Sequence, residues 1–463
     1  MLRELKRKYI GDSKFYKLLF SVSFPIIVQN GMTNLVSLLD NVMVGQMGLE
    51  EMSGVAIVNQ LIFVYYLLIF GGLSGVGIFT AQYYGNNDHE GIRHTFRYKL
   101  WLGFIISSIT IIVFVLFGQN LIHLYLLGDS TGGDARLTLA YGMDYLWIII
   151  FMIPAILITQ LYASTLRECG ETVIPMVAGI IAVFSNLVLD YALIFGKLGL
   201  PAMGVSGAAL ATVIARYIEM LVVVVWTIIR QSKFEYLKGV YRTLIVPGKL
   251  VRKYLITGVP LLVNEGLWAI GIAMLTQAYS LRGINVIAGQ NIASTVNNLF
   301  SIVFIAMGDA VAIIIGQYLG AGDMENAKDA DNKIIAFSIL SSVVIGSIMF
   351  LMARPIPQIY NTSEISKLIA TQFIMVQAIA MPKDCYLHTS YFTIRAGGKT
   401  VITFLFDSVF MIFVSVPLAY ILVRFTDLYA SLVFAIVHSA DIIKCIIGYI
   451  LIKKGVWLKN IVK

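Results

Sequence analysis

The chain has 463 residues, 58% of them hydrophobic and only 13% charged, with a formal net charge of +8. Soluble domains carry about 25% charged residues, so the composition describes a polytopic membrane protein with almost no soluble part. The excess of base lies at the ends of apolar runs, which reads as membrane topology rather than nucleic-acid binding, and Cys169, Cys385 and Cys445 form no CxxC that would suggest a disulfide framework or a metal site.

The first apolar stretch, Leu18 to Leu49, follows Arg3, Lys6, Arg7, Lys8, Lys14 and Lys17. It is too long for a signal-peptide core and lacks a small-residue cleavage site, so it is kept as the first span. The 22 uncharged residues between Lys17 and Asp40 cover roughly 33 Å as a helix, enough to cross a bilayer core of about 30 Å. Asp40 is the single ionisable residue between Lys17 and Glu50. A carboxylate costs at least a few kcal/mol when it faces lipid. Asp40 therefore either lines a transport cavity or is wetted at the outer interface.

Twelve apolar segments follow one another: 15–46, 52–83, 96–120, 137–164, 173–196, 204–230, 251–281, 287–318, 331–353, 366–394, 399–423 and 428–452. Most Lys and Arg fall in the even-numbered loops and at both ends. The loop 230–253 alone holds Arg230, Lys233, Lys238, Arg242, Lys249, Arg252 and Lys253. Both termini are expected on the cytoplasmic side of the cell membrane.

The two halves repeat. Phe24-Pro25 and Gln29-Asn30 align 235 residues upstream of Val259-Pro260 and Asn264-Glu265. The same offset carries Gln82-Tyr83, Gly85 and Asp88 onto Gln317-Tyr318, Gly320 and Asp323, and an offset of 228 carries Pro154 and Arg167 onto Pro382 and Arg395. The expected architecture is all-α, with twelve transmembrane helices in two pseudo-symmetric six-helix lobes. These are 1–230 and 251–463, joined by a basic cytoplasmic linker at 231–250 and related by an axis along the membrane normal. Pro25, Pro154, Pro260 and Pro382 sit inside apolar runs, where each removes a backbone hydrogen bond. They are either bending points or static kinks.

Several polar residues lie inside these spans. Asn186 and Asp190 are four apart and share a helix face, Asp40 is on another helix, and Thr212 follows the GAALA run. Two carboxylates, an amide oxygen and a hydroxyl suit a hard cation such as Na⁺, or a proton shared by close acids. The alternative is a hydrogen-bonded cluster that only joins helices. In the second half, Glu265 follows Pro260 by five residues, and Asp384 follows Pro382 by two and precedes His388 by four. Lys383 adjoins Asp384 but is expected to point elsewhere on the helix; the alternative is that it neutralises one of these acids, which would weaken a substrate-binding role. Arg216 with Glu219, and His438 with Asp441 and Lys444, read as local charge pairs, while Asp309 and Asp407 have no assigned role.

With these features the chain resembles the multidrug and toxic compound extrusion (MATE) transporters, in their NorM-like and DinF-like bacterial branch. The resemblance covers nearly the whole length. Its carriers are LLDNVMVGQMG (38–48), LRECGET (166–172), SNLVLDYALIFGKLGLPAMGVSGAALAT (185–212), GQYLGAG (316–322) and the spacing from Asp384 to Ile394-Arg395. It implies a central cleft and cation-driven efflux of amphipathic, often cationic compounds. It also implies an N-lobe cation site at Asp40, Asn186, Asp190 and Thr212, and a C-lobe cation or substrate site at Glu265 and Asp384.

The reading is therefore a Na⁺- or H⁺-coupled multidrug antiporter, monomeric and without a cofactor, handling small organic molecules in a lipid bilayer. The rival within the same superfamily is a flippase for lipid-linked oligosaccharides, which would call for basic rather than acidic cleft residues. A membrane-embedded enzyme finds no support, because GxSxG, HExxH and P-loop motifs are missing.

Overall fold

The computed structural model describes residues 8–126 and 134–463. No strand occurs among the described residues. The helices are α1 (Ser13–Gly45), α2 (Leu49–Gly85), α3 (His89–Tyr125), α4 (Ala135–Ile149), α5 (Met152–Glu168), α6 (Val173–Phe195), α7 (Gly204–Ile229), α8 (Gly248–Ser280), α9 (Ile284–Ala321), α10 (Met324–Met352), α11 (Pro355–Gln358), α12 (Glu364–Ala396), α13 (Thr400–Phe404), α14 (Val416–Phe425), α15 (Ala430–Ala440) and α16 (Ile442–Lys453). Among the described residues, eleven helical stretches are long and apolar enough to cross a membrane, and the bent pair α4–α5 makes a twelfth. Each of the twelve apolar segments falls on one of them. The third and ninth start earlier than hydropathy alone indicates. Their first turns are charged, and α10 is capped by Asp323, whose carboxylate accepts from the Asn326 amide.

Proline acts differently in the two halves. The α4–α5 helix breaks at Ile150–Phe151 and bends by 50°. Pro154, lacking an N–H, leaves the Ile150 carbonyl without its helical donor at that point. Its repeat partner Pro382 lies inside an unbroken α12, and Pro25 and Pro260 lie inside α1 and α8. Between α13 and α14 the eleventh span widens into two π-helical turns, Leu405–Val409 and Met411–Ser415.

Packing divides the chain into two compact units. The N-terminal unit comprises Val28–Gly77 and His89–Val251, and the C-terminal unit comprises Met1–Ile27, Ile78–Asp88 and Arg252–Lys463. The boundary thus falls within α1 and α2. In the N-terminal unit, Val58, Ile62 and Ile69 of α2 pack with Ile149, Ile153 and Ala209. In the C-terminal unit one cluster joins Leu261, Ala310, Ile314 and Trp457. A second includes Phe373 and Phe434, stacked 4.4 Å apart.

The basic linker is ordered and belongs with the N-terminal unit. Its turns Glu235–Leu237 and Val240–Arg242 lie against α3. Arg97 Nε donates to the Val240 carbonyl at 2.9 Å, Trp101 Nε1 to Leu244 at 3.0 Å, and the Tyr162 and Tyr241 hydroxyls meet at 2.8 Å. In the C-terminal unit, the segment after α16 is strapped down by Gln82. Its amide donates to the Ala396 and Lys459 carbonyls at 2.9 and 3.2 Å and accepts from the Ile461 N–H at 2.8 Å.

Candidate functional site

The N-terminal unit brings all four expected residues together. Asp40 comes from α1, Asn186 and Asp190 from one face of α6, and Thr212 from α7. Asp190 is 2% exposed and Asn186 is 6% exposed. The Asp40 and Asp190 carboxyl groups lie within hydrogen-bonding reach of each other. Two carboxylates only accept, so the pair bonds when one of them carries a proton and repels when neither does. Asp40 Oδ1 and Asp190 Oδ2 are both buried without a hydrogen-bond partner, and the Asn186 amide lies within hydrogen-bonding reach of Asp190. Thr212 Oγ1 donates to the Ala208 carbonyl at 3.0 Å, leaving its lone pairs for a further partner.

A cavity of about 40 Å³ opens beside these groups, with Asp40, Asn186, Thr212, Thr33 and Arg216 in its wall. One water needs roughly 10–15 Å³ on this measure, so the cavity has room for a cation with some of its waters. The donor set is oxygen-rich and anionic, the chemistry of a hard monovalent ion or a proton.

Three wall or neighbour residues complete the surroundings, and two of them escaped the sequence. Tyr145 of α4 is buried beside Asp40, Asp190 and Thr212, and its hydroxyl donates to Asn59 Oδ1 at 3.2 Å. A tyrosine and an asparagine on separate apolar helices carry no sequence signal that joins them. The third, Arg216, was legible. It follows Thr212 by four residues and so lies on the same face of α7. Its pairing with Glu219 is present at 2.6 Å. Yet Arg216 also faces Asp40, so the acids do have a basic neighbour.

In the C-terminal unit Glu265 and Asp384 stand in different surroundings. Glu265 of α8 faces Arg395 of α12 and Asp407 of the first π turn. Asn264 beside it is 1% exposed. It donates to Asp407 Oδ2 at 3.0 Å and accepts from the Ser408 hydroxyl at 2.7 Å. The repeat clarifies this geometry. In the other half Arg167 donates to Gln29 Oε1 at 2.9 Å. Arg395 and Arg167 are repeat partners, as are Asn264 and Gln29, so each half sets an arginine against the residues that follow its first proline.

Asp384 is ion-paired. Lys383 Nζ lies 2.6 Å from Asp384 Oδ1 and 3.4 Å from Asp441 Oδ2, and Lys444 lies 2.9 Å from Asp441. Adjacent helical residues were expected to diverge. The flexible lysine stem instead folds back to its neighbour. The expected local pair of Asp441 and Lys444 is present, and His388 packs against Phe304 and Phe392 rather than against Asp384.

The family model MatE matches residues 25–192 and 261–421. A probable multidrug resistance protein NorM from Thermotoga maritima is 24% identical over 418 residues, 89% of this chain and 86% of that protein. A second, from Halalkalibacterium halodurans, is 26% identical over 420 residues, 89% of this chain and 88% of that protein. The fold matches a crystal structure of a Vibrio cholerae MATE transporter with a TM-score of 0.84 at 18% identity, covering 97% of this chain and 98% of that one. A match over both halves, at this length and in this architecture, is more than a shared motif: the chain belongs to the MATE family and is a multi-pass membrane protein.

Proposed function

We propose that this protein is a secondary antiporter that exchanges Na⁺ or H⁺ for amphipathic, often cationic organic compounds by alternating access. The observation that carries this reading is the facing pair Asp40 and Asp190, beside a cavity and with an unsatisfied carboxyl oxygen on each acid. An acid pair of this kind has two states. Empty, it holds two repelling charges at low dielectric. Loaded with a proton or a sodium ion, it is relieved of that repulsion. A conformation that closes around the loaded pair is therefore favoured only when the ion is present, which is the differential binding that coupling requires.

The relatives named multidrug resistance proteins support the substrate class, and the acid-rich sites support organic cations over anions. The basic loops support a cytoplasmic position for both termini. A lipid-linked oligosaccharide would need free cations for its phosphates. Arg216, Lys383 and Lys444 are instead ion-paired to acids, which weighs against that substrate. The test is ethidium transport by purified protein in proteoliposomes. An imposed inward Na⁺ or H⁺ gradient is expected to drive ethidium against its own gradient in the parent. Failure of both ions to drive any organic cation would remove the antiport reading.

A further inference from the structure

The linker carries charge and apolar surface that the rest of its unit does not cover. Between 231 and 250 it has four basic residues and one acidic residue, Glu235. Lys233 is paired with Glu171. Lys238, Arg242 and Lys249 are exposed and, among the described residues, have no acidic partner. Between the last two lie Leu244 and Ile245, 41% and 77% exposed. The backbone from Thr243 to Pro247 is neither helix nor strand. Among the described residues, the amides of Thr243, Leu244, Ile245 and Val246 find no hydrogen-bond acceptor.

This stretch is held at a defined level. Phe234, Tyr236, Leu237 and Val240 ahead of it are buried, and the Leu244 carbonyl accepts from Trp101 Nε1 at 3.0 Å. Trp101 opens the exposed stripe of α3, where Phe104, Ile105 and Ile109 follow at helical spacing, each more than half exposed. On a membrane-spanning helix an apolar stripe of this kind meets acyl chains, and a tryptophan at its end marks the level of the headgroups. The bond from the indole therefore sets Leu244 and Ile245 at that level too. Unpaired amides need acceptors there, because water becomes scarce toward the acyl region. Ester and phosphate oxygens of a lipid supply them.

We infer that residues 241–249 are a docking site for an anionic phospholipid of the cytoplasmic leaflet. Leu244 and Ile245 enter its acyl region, and the free amides of 243–246 donate to its phosphate and ester oxygens. Arg242, Lys249 and Lys238 supply the positive field that selects an anionic headgroup. Each basic side chain near an anionic leaflet strengthens attachment about fivefold, and the effect fades within a Debye length of about 8–10 Å. A zwitterionic lipid fills the apolar part equally well but leaves the three cations without a counter-charge. The lipid is a fixed neighbour of the N-terminal unit and not cargo, so the inference stands apart from the antiport reading.

The test titrates nitroxide-labelled lipid into the purified full-length protein in dodecyl maltoside micelles. A fluorophore attached through Ile245→Cys reports contact, and the parent with its own Cys169, Cys385 and Cys445, taken through the same labelling, is the blank. Quenching by labelled phosphatidylglycerol is expected at a lipid fraction about tenfold or more below that needed for labelled phosphatidylcholine. Adding Arg242→Gln and Lys249→Gln should bring the two lipids within about twofold of each other. Phosphatidylcholine should still quench in that variant, which shows that the segment remains in place. The preference should also shrink as NaCl is raised. Sodium phosphate at the same ionic strength as the NaCl series separates the remaining source of the headgroup's charge. If it removes the preference where NaCl does not, the site takes free phosphate and the lipid assignment falls. No quenching by either lipid would overturn the inference. So would equal quenching by both in the protein with basic residues intact, or a preference that survives both glutamine substitutions.

Discussion

A β-carbon placed on Gly85 would lie 1.9 Å from the carbonyl oxygen of Gln317, and one placed on Gly320 would lie 1.9 Å from the carbonyl oxygen of Gln82. Gln82 and Gly85 are the repeat partners of Gln317 and Gly320. The two motifs therefore cross reciprocally, each glycine seated on the backbone of its counterpart, as a local two-fold relation requires. Only glycine allows α2 and α9 to approach so closely, and the obstructing atom on each side is backbone, which cannot rotate away. Gly85→Ala and Gly320→Ala are each expected to destabilise the protein by about 1–3 kcal/mol through overpacking. The double variant should cost less than the sum, because the first change already separates the helices. Thermal melting in detergent would measure both, and full additivity would argue against a shared crossing.

The N-terminal unit hides a second charged contact that has no place in a transport site. Lys99 Nζ is fully buried and lies 2.5 Å from Glu168 Oε2, with Ser164 Oγ at 3.2 Å. Removing the acid leaves the buried ammonium, among the described residues, with only the Ser164 and Thr165 hydroxyls as partners. Glu168→Ala should therefore cost about 3–5 kcal/mol, whereas Lys99→Met combined with Glu168→Leu should recover most of that loss. Melting temperatures of the two single variants and the double variant decide the point. A double variant no better than Glu168→Ala would show that the pair is not the issue.

Arg97 makes a testable clasp for the linker. It is 4% exposed and donates to both the Val240 carbonyl and Glu90 Oε1. Hydrogen bonds from a charged donor contribute about 1.5–3 kcal/mol, which corresponds to roughly ten- to hundredfold in the population of an opened linker. The linker contains Lys233, Lys238 and Arg242, so trypsin reports that opening directly. Arg97→Met is expected to speed cleavage within 231–250 at least tenfold. Unchanged cleavage would mean that the two turns hold without Arg97.

Hydropathy and repeat matching made most of this architecture legible, because a bilayer forces long apolar runs and a duplicated chain keeps its register. Asp40, Asn186, Asp190 and Thr212 were legible as well, since intramembrane polar residues are few and helical spacing says which share a face. Tyr145 and Asn59 were not, because their convergence depends on how α2 and α4 pack, and no local pattern encodes that. The ion pair at Asp384 stood only as the less favoured alternative, for a different reason. Helix geometry separates adjacent Cβ atoms but does not fix where a four-carbon side chain ends. The joint contact of Asp407 and Ser408 with Asn264 likewise depends on a π turn, for which an apolar run such as LFDSV gives no periodic sign.

Tyr145 offers the most discriminating test of the N-terminal site. Its hydroxyl stands between Asn59 and Thr212 beside both acids, so rotating the O–H alone can present an oxygen lone pair to a bound cation. Tyr145→Phe removes only that oxygen and keeps the ring packed among the buried apolar side chains of the unit. Loss of one such hydrogen bond or ligand contributes about 1–1.5 kcal/mol, which is roughly a five- to tenfold rise in the cation concentration needed for half-maximal transport. Asp40→Asn and Asp190→Asn should abolish gradient-driven ethidium transport outright, since a single remaining acid no longer generates the repulsion that loading relieves. Transport rates across a series of Na⁺ concentrations at fixed pH, and of pH values at fixed Na⁺, separate the two effects and name the ion. Should Tyr145→Phe shift neither series while Asp40→Asn abolishes transport, the phenol would be a packing residue and the site would consist of the acids, Asn186 and Thr212 alone.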